Sequence, residues 1–195
     1  MTSNVVESTI DAAVWFLDRA RLDENYLQEQ KLQRLLYIAF GLYGAQYHGR
    51  KLMPATFVAH ELGPIEPNVF RLFEAGRPKL DEPKVPAEGE HFLEDIWRRV
   101  NAHPVDRLTH LVTQHEAYQS AFQKGEWEEL SSADIIAAFR KRCQPAETVR
   151  TADGKRVQKW MPQKNHAPAR QFLSALWTKQ FFCGNQGGNK YFLAA

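Results

Sequence analysis

The sequence predicts a mainly α protein: a compact helical domain over residues 1–145, then a basic appendage over 146–195 with hairpins and one helix. Apolar residues recur at helical spacing through successive segments of the first part. Helix start and stop residues flank those segments, and strict alternation replaces the helical period only past residue 145.

Asn4 and Glu7 form a capping pair, after which Ile10, Ala13, Val14 and Leu17 share a face. This first helix ends at the charged stretch Arg19–Asn25. A second helix is predicted over residues 27–47, striped by Leu32, Leu35, Leu36, Ala39, Leu42 and Tyr43. Within it, Gly41 and Gly44 either weaken the helix or admit a close neighbour. Pro54 and Phe57-Val-Ala59 suit a short extended piece before the break at Gly63-Pro64. A third helix runs from about Glu66 to Ala75, opened by Pro67 and stopped by Gly76.

Residues 77–90, with Pro78, Pro83, Pro86 and Gly89 among charges, read as a loop. Phe92, Leu93, Ile96, Trp97 and Val100 mark the fourth helix. Pro104 then opens one long or two short helices carrying Val105, Leu108, Leu111, Val112 and Phe122. Ser131 with Asp134 starts a further helix bearing Ile135, Ile136 and Phe139. In the appendage, Asp153-Gly154 between alternating runs signals a hairpin, Pro168–Trp177 a last helix, and residues 181–192 a closing hairpin.

Hydrophobic content of 44% with 12% aromatics suits a packed globule. No run approaches the roughly 18 apolar residues of a membrane span, and no membrane partner is expected. The N-terminus lacks the basic and apolar regions of a secretory signal, and Cys143 and Cys183 show no metal-ligand spacing. The expected compartment is therefore the cytoplasm, with both thiols reduced. Charge is uneven: eight Lys/Arg against Glu147 and Asp153 put +6 on residues 146–195, leaving −4 on the rest of a chain of net charge +2. A basic segment on an acidic body suits an acidic partner, nucleic acid or protein, or a contact between the two parts.

Enzymatic chemistry finds no support. His110 and His115 would lie about 140° apart on a helix. His115-Glu116 begins like a metalloprotease helix, but Gln119 stands where the second histidine is required. There is no Gly-x-Ser-x-Gly elbow, and no glycine-rich loop follows a strand to cradle a phosphate. We expect no catalytic activity, no metal and no cofactor. Nucleic-acid binding has a better basis, since Arg156, Lys159, Lys164 and Arg170 interleave with Trp160, Phe172 and Trp177. The same aromatics equally make a packing stripe.

Two ordered motifs carry a family resemblance. Lys31-Leu-Gln-Arg-Leu-Leu-Tyr37 precedes Ala59-His-Glu-Leu-Gly-Pro-Ile-Glu-Pro-Asn-Val-Phe70. In this order and separation they resemble the Panacea domain, over roughly residues 5–140. That family continues with a Thr-His-rich segment ending in tryptophan. Here Leu108-Thr-His110 and Thr113-Gln-His-Glu-Ala-Tyr118 fit in part, with Tyr118 in the tryptophan's place. The resemblance implies the antitoxin of a bacterial or phage toxin–antitoxin pair, neutralising its cognate toxin by direct, noncatalytic contact. In the SocA-type variant it implies an adaptor that delivers the toxin to ClpXP. The rival reading is a nucleic-acid-binding regulator using the basic segment.

Lys31, Arg34, His60 and Glu66 are polar positions within these motifs, and we expect them exposed beside a rigid turn. With Tyr37, Gly63 and Pro64, and with Arg156 and Trp160 from the basic segment, they form the expected partner surface. Charge reversal at Arg34 or Arg156 is then expected to weaken binding without unfolding. If both reversals leave affinity untouched, the interface is expected instead on the Trp97 or Trp127 side; Trp127 is an aromatic among acids in Glu126-Trp-Glu-Glu129 that suits an interface anchor or a buried position. Leu193-Ala194-Ala195 resembles the carboxyl end of the bacterial rescue tag gripped by the ClpX unfoldase, and is expected to serve as a protease handle. The competing account is the frayed end of a hairpin strand.

Overall fold

The computed structural model describes residues 4–74 and 82–143, with side chains described through Arg140. Expectations for residues 146–195, including Arg156, Trp160 and Leu193-Ala194-Ala195, lie outside the described residues. In order, the elements are α1 (Thr9–Leu22), α2 (Glu29–Gln46), β1 (Phe57–Val58), α3 (Pro67–Glu74), α4 (Ala87–Val100), α5 (Val105–Thr113), α6 (Glu116–Lys124), β2 (Glu129–Leu130) and α7 (Ser132–Cys143). The architecture is mainly helical, as the periodicity predicts, with one two-stranded antiparallel ribbon among the described residues.

Helix α2 is the hub. Every residue from Leu32 to Ala45 is buried, because α1, α3, α4 and α5 all pack on it. Helix α7 joins them through Gly41 and Gly44. A methyl group at Gly41 would fall inside the Phe139 ring, and one at Gly44 would meet Ile136. Of the two readings of these glycines, the close neighbour is the one realised. Around the hub, Tyr37 and Phe40 contact Phe57 of β1 at ring separations of 5.2 and 5.5 Å, and Phe16 of α1 contacts Trp97 of α4 at 6.4 Å.

The start of α1 differs from the Asn4–Glu7 expectation. Ser8 is the N-cap, its Oγ accepting from the Ile10 N–H at 3.1 Å. The amides of Val5 and Val6 donate to the carbonyls of Lys51 and Leu52, so these residues run alongside the 51–52 segment instead of winding into the helix. Pro104 caps α5 as expected, and the region to residue 124 forms two helices, broken between Thr113 and Glu116. Helix α4 begins at Ala87 and so takes the last four residues of the predicted 77–90 loop, with Pro86 as its N-cap.

The ends of α1 and α4 are tied by charge. Arg19 Nε donates to Glu94 Oε2 at 2.7 Å, Arg98 Nε to Glu94 Oε1 at 2.6 Å, and Trp97 Nε1 to Asp23 Oδ2 at 2.7 Å. The Arg19 hydrogen bond, ahead of the Arg98 one, holds the Glu94 carboxyl below its ordinary value. A depressed carboxylate contributes stability that is present above the unfolded pKa and lost as pH falls through the folded one. Glu94→Gln should therefore lower the unfolding free energy from urea titration at neutral pH, by about 1 kcal/mol for a half-buried network still screened by solvent. The gap to the parent should narrow as pH falls below the ordinary carboxylate range and through the depressed folded pKa. A gap unchanged across that window would mean the pairing contributes nothing.

Candidate partner-binding site

The chain between β1 and α3 makes a tight turn, and its shape follows from its backbone bonds. Val58 and Ile65 exchange amide–carbonyl bonds at 2.8 and 3.0 Å, and the Gly63 N–H closes onto the His60 carbonyl at 2.7 Å. Gly63 sits at φ +106°, in the left-handed half of backbone space where glycine has no steric penalty. A Cβ there would also stand 2.8 Å from Arg34 Nη2.

Arg34 reaches that turn from inside. It is 1% exposed. Nη1 donates to the Pro64 carbonyl at 2.8 Å, Nη2 to the Leu62 carbonyl, and Nε to Thr109 Oγ1 of α5 at 3.1 Å. All three acceptors are neutral oxygens, so hydrogen bonds stand in for the lost water. Burial pushes the guanidinium down to about 10, opposed by Tyr118, and it remains a cation at neutral pH.

The next residues are fastened as firmly. Glu66, also 1% exposed, caps α3: Oε2 accepts from the Val69 N–H at 2.7 Å and Oε1 from Asn68 Nδ2 at 3.0 Å. Its own N–H donates to Gln33 Oε1 of α2 at 2.8 Å. Tyr37 is fully buried, with its hydroxyl 3.3 Å from His115 Nδ1. Lys31 is half-buried and donates to the Asn101 carbonyl at 2.5 Å; burial lowers its pKa.

These positions correct the expected contact surface. Arg34, Tyr37 and Glu66 are interior groups, and Gly63 and Pro64 are buried beside them. The reason is the all-round burial of α2 from Leu32 to Ala45: a cation at position 34 has no solvent edge to reach and turns to backbone carbonyls. Of the set, His60 and Lys31 are half-buried and retain access to solvent. The structure does bring together the segments that carry the resemblance, since Arg34 bonds both the Leu62–Pro64 turn and Thr109.

On the outer side of the turn lies a surface that motif reading did not assemble. Tyr118 Oη donates to the His60 carbonyl at 2.7 Å, and Phe122 stacks on Tyr118 at 5.5 Å. His60 meets the Trp127 ring edge-to-face at 5.1 Å, its Nε2 3.4 Å from Glu126 Oε1. Phe70 lies 6.4 Å from the same indole. The Trp127 N–H donates to the Ala59 carbonyl, and Ala59 returns a bond to the Glu128 carbonyl. So the expected turn side and the expected Trp127 side are one continuous surface. Trp97, by contrast, is core.

Leu62, Phe122 and Trp127 are 40%, 43% and 47% exposed. Phe122, one of the apolar residues that mark this helical region, faces out because α6 buries Ala117, Tyr118 and Ala121 instead. Trp127 holds φ +68°, a costly conformation for a bulky side chain, fixed by its flanking backbone bonds. Thr109, Tyr118 and Trp127 lie on α5, on α6 and ahead of β2, and a step of nine residues across separate elements is no periodicity that would have grouped them. What this arrangement offers chemically is a rigid, partly apolar relief. Comparison with protein-family models, with curated proteins and with solved structures gave no match. Among the described residues, no helix is long and apolar enough to cross a membrane.

Proposed function

We propose that the protein is a noncatalytic partner-binding protein and, on the resemblance of its two motifs to the Panacea domain, the antitoxin of a bacterial or phage toxin–antitoxin pair. One observation supports this most. The two resembling motifs are locked into one unit through Arg34, thirty residues before Pro64 in the chain, and that unit presents Leu62, Phe122 and Trp127 to solvent. Rigid aromatic anchors lose little entropy on association and dominate interface energies.

The test is genetic and then physical. Each gene adjoining this one is expressed alone and together with it. One of them should arrest growth alone and be relieved by this protein, and the two products should copurify. That complex should survive salt that strips proteins from nucleic acid, because phosphate contacts weaken steeply with ionic strength. If no neighbour is toxic, or toxicity persists with both proteins present, the antitoxin reading fails.

A further inference from the structure

The relief around Trp127 has a sign. The ribbon that carries the indole also carries Glu126, Glu128 and Glu129, all exposed, and the turn beside it carries exposed Glu61. Among the described residues, exposed basic groups on the adjoining elements are fewer: Lys124 at the end of α6 and Arg71 on α3. His60 Nε2 lies 3.4 Å from Glu126 Oε1, and the Arg34 cation is sunk behind the turn among carbonyls, where it does not balance the rim. Register fixes the acids outward: in β2, Leu130 enters the core opposite Phe57 while Glu129 faces solvent.

We infer that the surface formed by Leu62, Phe122 and Trp127, with its rim of Glu61, Glu126, Glu128 and Glu129, docks a basic segment of a partner protein. That segment would place an apolar side chain against the Trp127–Leu62 relief and Lys or Arg side chains against the rim. This rests on the partner-binding reading and names the chemistry of the partner. Charge complementarity selects the occupant. A phosphate backbone would be repelled by the same glutamates, and an acidic protein segment likewise. Arg suits the site best, since its guanidinium pairs with a carboxylate through two parallel bonds and stacks on an indole face.

The experiment uses the full chain and three fluorescein-labelled peptides: alternating Arg and Leu, alternating Arg and Gly, and alternating Glu and Leu. Anisotropy should show binding of the Arg–Leu peptide, weaker binding of Arg–Gly, and none of Glu–Leu. Trp127→Ala should weaken the Arg–Leu complex about thirtyfold, the loss of a 2 kcal/mol anchor at tenfold per 1.4 kcal/mol. The double reversal E128K/E129K removes rim charge without touching the core. It should weaken that complex at least about tenfold at low salt and less at high salt. Urea midpoints near the parent's confirm that each variant is folded. Binding of Arg–Leu that ignores both changes overturns the proposal, as does equal binding of Glu–Leu. A dimer of this protein by light scattering that Trp127→Ala dissolves also overturns it, because the occupant is then a second copy. A cognate toxin that is neutralised equally by parent, Trp127→Ala and E128K/E129K overturns this surface while leaving the antitoxin reading intact. A failed co-expression test removes the antitoxin reading and leaves the peptide result to decide the docking chemistry.

Discussion

Arg34→Met should destabilise the protein by about 3 kcal/mol or more, because several acceptors lose their donor together. The Pro64 carbonyl is the costliest, since the bond it receives is buried. The Leu62 carbonyl and Thr109 hydroxyl are partly exposed and recover some hydration. Total stabilities of single domains are only about 5–15 kcal/mol, so this is a large share. Arg34→Lys should recover only part of the loss: an ammonium keeps the charge, but its compact tip cannot fork across two carbonyls and a hydroxyl. Arg34→Glu should leave little folded protein, because it sets a buried carboxylate against carbonyl oxygens. This reverses the behaviour expected of an exposed cation, for which reversal is nearly neutral. Equilibrium urea unfolding gives the ranking parent, Lys, Met, Glu. A Met variant within about 1 kcal/mol of the parent would show that the clamp is dispensable.

The correction at Arg34 shows how far local pattern carries. The stripe from Leu32 to Tyr43 announces a helix, and Glu29–Gln46 is where it lies. A stripe implies one buried face, however, while α2 is enclosed on every side, and the number of neighbours is not written in the helix itself. Arg34 therefore reads as a surface cation, since its acceptors come from a turn about 30 residues on and a helix beyond it. The same holds for the outer surface. Gly63-Pro64 is legible as a break, and Glu126-Trp-Glu-Glu129 as an aromatic among acids. Their adjacency comes from pairing Phe57–Val58 with Glu129–Leu130, strands of two residues each, too short for alternation to register. At the N-terminus, Asn4 and Glu7 match a capping pattern, and the backbone bonds of Val5 and Val6 to a distant segment override it.

Gly41 offers the second large effect, and its sign can be made to reverse. Glycine inside a helix ordinarily costs about 0.5–1 kcal/mol against alanine, so Gly41→Ala on an open helix would stabilise. Here the added methyl falls on Cδ2 and Cε2 of Phe139, which is itself 4% exposed and pressed 4.5 Å from the His115 ring and 5.8 Å from Tyr37. The ring has nowhere to move, and either α7 shifts or Phe139 leaves its rotamer, at about 1–3 kcal/mol or more. The clash outweighs the propensity gain, and Gly41→Ala should destabilise by about 2 kcal/mol. Phe139→Ala alone should cost more, about 3–5 kcal/mol, by opening a cavity. In that background the methyl meets space, and Gly41→Ala should become neutral or stabilising. The coupling between the two sites should thus be on the order of 2–3 kcal/mol, the upper end for contacting residues. Urea unfolding of the parent, both single variants and the double variant measures it directly. Additive effects would mean that α7 does not seat against Gly41 and that the hub of the fold is packed differently.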